Sequence, residues 1–368
     1  MLPSQHHQTE DRTVHRVLVV DDSKAMCAFL KKAIDADPNL TVVGCALDPY
    51  EARDMIKELD PDILTLDIEM PRMDGLTFLR NLMRLRPMPV VMISSMTSEG
   101  AAVSLEALSI GAVDFMVKRQ INSDHQLQEY TQSIRALVRS AATVNIATRQ
   151  DKPSLQVRHS SLIESAWRHK MDSASRANNT LNKIVCIGAS TGGPEAVKHV
   201  LDELDVNETA VVIAQHMPSR FIEAFATRLD KTSQFTVAES YEGAPITKGC
   251  CYVASGNSHT TIQSSGRGYV CHLDRSQKIN GHQPAVDRLF ESAAQCLDSS
   301  AVGLLLTGMG NDGAQGLKQL HDRGAFTIAQ DEKSSAVWGM PGSAVRLGAA
   351  DAVLPLQDIG SVLSELLR

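Results

Sequence analysis

The chain has 368 residues, 43% of them hydrophobic and 21% charged, with a formal net charge of −7. At ~100–200 residues per domain, that length suits two soluble domains. The acidic balance argues against broad nucleic-acid binding, and no apolar run approaches the ~20 residues needed to cross a bilayer. The N-terminal stretch MLPSQHHQTEDRTVHR is polar and lacks the apolar centre of a signal peptide, so a cytoplasmic location without membrane insertion is expected. The seven cysteines are scattered, with no Cys-x-x-Cys pair. Cys27, Cys45 and Cys186 fall in apolar periodic segments and are expected to be buried free thiols.

In chain order, residues 17–118 alternate short apolar runs with amphipathic stretches. The runs are VLVVD (17–21), TVVGCA (41–46), ILTLD (63–67), VVMISS (90–95) and DFMVK (114–118). Helical patterns such as SKAMCAFLKKAID (23–35) and GLTFLRNLMRL (75–85) lie between them. Five such repeats predict an α/β fold: a five-stranded, doubly wound parallel sheet with helices on both faces. A helix is expected over 124–141, then a polar stretch reads as a linker, with a short helix near 160–170. Seven further strand-like runs follow: IVCIGA (184–189), AVVIAQ (210–215), FTVAES (235–240), CCYVAS (250–255), AVGLLLTG (301–308), FTIAQD (326–331) and AAVLPL (351–356). Two alternating runs around Ser-Ser-Gly-Arg-Gly at 260–273 read as a β-hairpin inside a second, mainly parallel α/β sheet.

The ends of the first five strands carry chemistry. Asp21 and Asp22 end the first, Asp67 the third, Ser94 and Ser95 the fourth, and Lys118 the fifth. In a doubly wound sheet these ends converge on one edge. Three carboxylates at one point repel unless a cation joins them, and hard oxygen ligands suit Mg²⁺. A carboxylate beside Mg²⁺ can accept a phosphoryl group, and a lysine and a hydroxyl can bind its oxygens. Against this stands a bland alternative, that Asp and Ser favour strand-to-helix junctions as caps.

VLVVDDSKAM, LTLDIEMPRMDGL, VVMISS and DFMVK together resemble the response-regulator receiver family over residues 15–135. The resemblance implies Asp67 as phospho-acceptor and Asp22 as the main acidic Mg²⁺ ligand, with Asp21 beside it. It implies Ser94 at the hydroxyl position, Phe115 as the switch aromatic and Lys118 as the active-site lysine. Where that family usually has proline after the lysine, this chain has Arg119.

In the second half, KIVCIGA runs directly into Ser190-Thr191-Gly192-Gly193-Pro194 and a helical pattern. Pro194 suits a first helical turn, and Gly188-x-Ser190-x-Gly192 fits the nucleophile-elbow pattern. The Thr191 N–H is the obvious oxyanion donor. That motif alone is weak, since a Gly-Ser loop after a strand is often only a turn. Yet GASTGGP matches neither the dinucleotide nor the P-loop pattern. His216 ends the next strand and so shares its edge with Ser190, where it can act as general base. His259 is its main competitor and His282 a weaker one. Asp312, in the turn after AVGLLLTG, is placed to orient His216, with Asp331 as the alternative acid. The order Ser190…His216…Asp312 differs from the Ser–acid–His order of α/β-hydrolases.

IGASTGGP, AQHMPSRF, LLLTGMGNDGA and AQDEKSSAVWGMPGSA resemble the chemotaxis protein-glutamate methylesterase family over residues 183–365. The resemblance implies Ser190, His216 and Asp312 as a catalytic triad, with Thr191 and Met309 lining the site. It implies glutamate methyl esters on chemoreceptors as substrate, receptor glutamines as a second one, and a chemotaxis-type sensor histidine kinase as phosphodonor. The esterase site needs no cofactor; Mg²⁺ belongs to the receiver. The expected division is a receiver over 15–135, a linker over 136–182 and a catalytic domain over 183–368, in a monomer. Two other classes stay open: a response regulator whose second domain only binds a protein, and a transcriptional regulator, for which no helix-turn-helix pattern is visible.

Overall fold

The computed structural model describes residues 14–95, 97–144, 183–266 and 268–367. The short helix expected near 160–170 lies outside them. The first unit runs β1 (His15–Val20), α1 (Lys24–Asp35), β2 (Leu40–Ala46), α2 (Pro49–Leu59), β3 (Ile63–Asp67), α3 (Gly75–Leu85), β4 (Val90–Ser94), α4 (Ser98–Ile110), β5 (Asp114–Val117) and α5 (Asp124–Ala142). Its strands form one parallel sheet in the order β2-β1-β3-β4-β5. The period-2 alternation of a strand decides which core each residue joins. Val17 and Val19 face Leu30, Tyr130 and Ile134 of α1 and α5. Leu18 and Val20 join the core under α2, α3 and α4.

The second unit runs β6 (Ile184–Ala189), α6 (Gly193–Glu203), β7 (Ala210–Gln215), α7 (Ser219–Thr232), β8 (Thr236–Glu239), β9 (Pro245–Ile246), β10 (Cys250–Val253), β11 (His259–Ser265), β12 (Gly268–Asp274), α8 (Val286–Cys296), β13 (Ala301–Leu305), α9 (Ala314–Asp322), β14 (Phe326–Gln330), α10 (Met340–Arg346), β15 (Ala352–Leu354) and α11 (Leu356–Leu366). Seven strands make a fully parallel sheet, β15-β14-β13-β6-β7-β10-β8. The chain winds one way from β6 to β7 and the other way from β6 to β13. That reversal opens a crevice at the carboxyl ends of β6 and β13, where doubly wound folds place their sites.

The expected hairpin is β11–β12, and it forms its own antiparallel sheet with β9, a two-residue strand the sequence pattern did not disclose. The strand expected over 301–308 ends at Leu305, because the residues beyond leave the ladder: Thr307 N–H donates to Gln330 Oε1 at 2.8 Å and Gly308 N–H to the Val337 carbonyl at 3.0 Å. Cys27 and Cys186 are buried as expected; Cys45 is only half-buried, and all seven cysteines are free.

Helix capping differs between the halves. In the first unit all five helices are capped by their own Ser, Thr or Asp side chains. In the second, none of α6 to α11 has a side-chain bond from its own N-cap residue. Helix N-termini leave unsatisfied N–H groups, and in this unit α8 and α9 obtain their acceptors from residues that also build the site.

Candidate active site

At the edge of the first sheet, Asp21, Asp22 and Asp67 place carboxylate oxygens within 4.8 Å of one another. Lys118 Nζ donates to Asp67 Oδ2 at 2.7 Å and stands 3.1 Å from Asp21 Oδ2. Asp21 Oδ2 is buried and accepts no hydrogen bond. A buried carboxylate oxygen whose contact with Lys118 is an ion pair without hydrogen-bond geometry, beside two more carboxylates, fits a hard divalent cation. Burial pushes the Asp67 carboxyl up, and the Lys118 ammonium offsets this only in part. Burial alone would lower Lys118, but its carboxylate partners raise it, so the lysine stays charged. Ser94 is buried, with its Oγ 3.2 Å from the carbonyls of Ser95 and Gly100 rather than bonded to Asp67. Arg119, despite replacing the usual proline, leaves the Lys118–Asp67 contact in place.

In the second sheet, Ala189 of β6 pairs with Gln215 of β7, so Ser190 and His216 leave adjacent parallel strands side by side. His216 N–H donates to the Ala189 carbonyl at 3.1 Å, and Ser190 N–H to the Thr307 carbonyl at 3.0 Å. Gln215 Nε2 donates to the Ser190 carbonyl at 2.9 Å. Thr307 Oγ1 donates to the Thr191 carbonyl at 2.9 Å. A Cβ on Gly308 would lie 2.7 Å from Ser190 Cβ and 2.3 Å from Met340 Sδ, so only glycine lets this loop approach the serine. Thr191 is buried, and Met309 is exposed at the mouth.

His216 and Asp312 form a hydrogen-bonded pair, with Nε2 2.7 Å from Asp312 Oδ2. An ionised carboxylate only accepts, so Nε2 carries the proton and Nδ1 is the basic nitrogen. Nδ1 is buried and has no hydrogen-bond partner.

Asp312 also serves the fold. Its Oδ2 accepts from Val286 N–H at 2.7 Å and its Oδ1 from Asp287 N–H at 3.1 Å, which caps α8. Asp287 in turn accepts from Gly316 N–H at 2.7 Å and caps α9. Asp287 of α8 thus caps α9, and Asp312, in the turn that leads into α9, caps α8. Burial by itself would raise Asp312, but His216 and the two helix N–H groups hold it well below the usual carboxylate range. Asp287 is pushed up to about 6, by burial and by the charge of Asp312.

That shift fixes a pH dependence. The folded Asp287 holds its proton after the unfolded carboxyl, of pKa ~3.9, has lost its own. Between pH about 4 and 6 the native state therefore binds more protons, and stability falls as pH rises. Asp287→Asn should remove a loss on the order of 2 kcal/mol across that window. Urea midpoints of the second domain from pH 4 to 7 check this; parallel wild-type and variant curves would contradict it.

The competing residues resolve into structural roles. His259 is fully buried; its Nδ1 accepts from Ala285 N–H at 3.0 Å, and its Nε2 lies 3.1 Å from the Gln277 carbonyl. Asp331 closes its own turn, accepting from Ser334 N–H at 2.9 Å and Ser334 Oγ at 2.6 Å. His282 does reach the site, stacked on His216 with ring centroids 3.7 Å apart. Residues the sequence reading missed are Asn280, Asp287, Thr307 and Gln330, whose Oε1 accepts from Thr307 N–H at 2.8 Å. Only Asn280 had a visible signal, the Asn280-Gly281 turn dipeptide.

The two units touch beside this site. Helix α4 packs on α7, and Phe115 stacks on Phe221 with centroids 4.6 Å apart. Arg228 Nη1 of α7 donates to the Leu105 carbonyl of α4 at 2.9 Å. A cavity of about 180 Å³ lies in the seam, lined by Phe115, Arg119, Tyr130, Pro194 and His216 among others.

Residues 17–131 match the response regulator receiver domain and residues 185–363 the CheB methylesterase family. A protein-glutamate methylesterase/protein-glutamine glutaminase 1 of Hahella chejuensis is 49% identical, over 95% of this chain and 95% of the relative. One from Hydrogenovibrio crunogenus is 43% identical, over 96% of this chain and 99% of its own. Among solved structures, the CheB methylesterase catalytic domain of Thermotoga maritima is 39% identical, with a TM-score of 0.49, covering 50% of this chain and 98% of that one. With such identity along nearly its whole length, and a receiver edge and a Ser–His–Asp edge in the matching segments, the chain belongs to the protein-glutamate methylesterase/protein-glutamine glutaminase family.

Proposed function

We propose that this chain is a phosphorylation-activated serine hydrolase that demethylates glutamate methyl esters on chemoreceptors and deamidates receptor glutamines. The observation that carries the reading is the buried His216–Asp312 pair beside Ser190 at the switch point of the second sheet. Ser190 Oγ attacks the side-chain carbonyl and His216 Nδ1 takes its proton. The Thr191 N–H, in the turn before α6, would stabilise the oxyanion, with Met309 lining the site. The Nδ1 proton then goes to the leaving methanol, or to ammonia from glutamine. Water, activated by the same nitrogen, frees the carboxylate. Asp312 holds the tautomer that leaves Nδ1 basic.

The receiver, taken as residues 15–135, would be phosphorylated on Asp67 by a chemotaxis-type sensor histidine kinase. Asp21, Asp22 and Asp67 would hold Mg²⁺, which screens the incoming phosphoryl charge. Lys118 pairs with Asp67 and is placed to receive a phosphoryl oxygen. Helix α5 carries the receiver fold on to Ala142, with Leu137, Val138 and Ala141 in its core, so the linker to the catalytic domain, 183–368, starts later than residue 136. Among the described residues no helix is long and apolar enough to cross a membrane. The proposed enzyme is a cytoplasmic monomer acting on the receptors' cytoplasmic helices. The α4–α7 and Phe115–Phe221 contacts would hold the unphosphorylated receiver over the catalytic edge, and phosphorylation would shift the population to an open form.

Methanol release from methylated receptor membranes, with and without a small-molecule phosphodonor, tests this. Ser190→Ala is expected to abolish release while folding normally. Asp67→Asn is expected to keep the basal rate and lose the response to phosphodonor. Residual full activity in Ser190→Ala would end the triad reading; a full phosphodonor response in Asp67→Asn would end the regulatory one.

A further inference from the structure

His216 is tethered through a single ring nitrogen, Nε2, while Nδ1 has no hydrogen-bond partner. One hydrogen bond leaves the imidazole free to turn on its side-chain torsions, and on the triad reading such a turn would change where Nδ1 points relative to Ser190. We propose that the turn Ile279–His282 is a clamp on the acid–base pair: His282 fixes the plane of the His216 ring, and Asn280 fixes the Asp312 carboxylate. The inference rests on the triad reading above and adds two positioning residues to it.

Three observations carry it. The rings of His282 and His216 lie parallel, 3.7 Å between centroids with 2° between planes. Two flat rings at van der Waals contact leave the lower one no rotation about its tether. Asn280 Nδ2 lies 2.9 Å from Asp287 Oδ2 and 3.4 Å from Asp312 Oδ1, so one side-chain amide spans the two carboxylates. Both groups are delivered by one rigid piece of backbone. Ile279 and His282 exchange N–H···O bonds of 3.1 and 2.9 Å, and Asn280 and Gly281 have φ of 52° and 81°. Positive φ at both central positions is the type I′ turn, which Asn-Gly favours.

The chemistry suits the place. An imidazolium forms on His216 in the transition state, and a second charged ring stacked on it would oppose that. The groups acting on His282 are His216, Asp312 and Lys278. Burial, then His216, and more weakly Lys278, push its pKa down to about 4, against Asp312. His282 is therefore neutral at physiological pH, and it covers the ring without competing for the proton.

The test uses the full-length chain with phosphodonor and methylated receptor membranes. His282→Ala should lower kcat about 10- to 100-fold, as expected when a catalytic group is held loosely, with KM little changed. His282→Phe keeps a flat ring without ring nitrogens and should recover most of kcat. Asn280→Ala should also lower kcat, and the double variant should lose less than the product of the two, because both act on one pair. Far-ultraviolet circular dichroism melts check that each variant folds, and His282→Phe and Asn280→Ala carry the test if His282→Ala does not. Unchanged kcat in His282→Ala would overturn the clamp, as would an effect confined to KM. So would a His282→Phe as slow as His282→Ala, which would mean that a ring nitrogen is needed rather than a ring. Ser190→Ala separates the two readings. If it is inactive while the His282 and Asn280 variants are unaffected, the clamp alone falls; if it remains active, both fall.

Discussion

Asp312→Asn is expected to lower kcat for methanol release about 10³- to 10⁴-fold, the size seen when a triad acid loses its charge. The reason lies in its neighbours. Oδ2 faces His216 Nε2 and Val286 N–H; Oδ1 faces Asp287 N–H and Asn280 Nδ2. All four are donors. A carboxylate accepts from all of them, but an amide must set its NH₂ against a donor on one side. With the amide towards His216, the imidazole is driven to the other tautomer and Nδ1 no longer accepts from serine. With the amide in the Oδ1 place instead, the Asp287 N–H at the start of α8 loses its acceptor. The same substitution should therefore destabilise the second domain by about 1–3 kcal/mol, the penalty for an unsatisfied buried polar group. Paired measurements of kcat and the urea midpoint check both parts. A variant within tenfold of wild type in kcat would mean that Asp312 does not orient the base.

Arg228→Ala is expected to raise the unphosphorylated rate about tenfold and to leave the phosphorylated rate unchanged. Its guanidinium lies only partly exposed and reaches the Leu105 carbonyl across the seam, while also pairing with Glu195 at 2.7 Å. A hydrogen bond from a charged donor contributes about 1.5–3 kcal/mol. Each 1.4 kcal/mol removed from the closed form moves about a tenfold population to the open one. The open form does not hold the contact, so its own turnover should not change. A parallel fall in both rates would instead place Arg228 in the stability of the catalytic domain, and an unchanged basal rate would mean that this contact does not hold the closed form.

Much of this was legible beforehand because it depends on local pattern. Strand periodicity located β6 and β7 to the residue, at Ile184–Ala189 and Ala210–Gln215. In a parallel sheet, strand ends that share an edge bring their residues together, so Ser190, His216 and Asp312, or Asp21, Asp67 and Lys118, could be grouped without coordinates. Asp287 illustrates the other case. It stands in the first turn of α8 as an ordinary acidic residue, and only the packing of α8 against α9 turns it into a buried cap with a shifted pKa. His259 and His216 both follow apolar strands, and nothing local tells them apart. The distinction comes from what each ring nitrogen meets: two backbone groups for His259, a carboxylate for His216.

The sequence by itself therefore determined the two α/β units, the acidic edge of the first sheet and the position of Ser190 after β6, because alternation, strand-end residues and turn chemistry are written within a few positions of one another. Only the tertiary structure decided which histidine meets a carboxylate, which of its nitrogens is left without a partner, and that the Asn280–His282 turn packs against it. Those depend on contacts between residues far apart in the chain, such as His216 with Asp312 and Asp312 with the start of α8. No local pattern encodes a meeting of that kind, because it is fixed by how helices and loops pack around the sheet rather than by the order of residues along it.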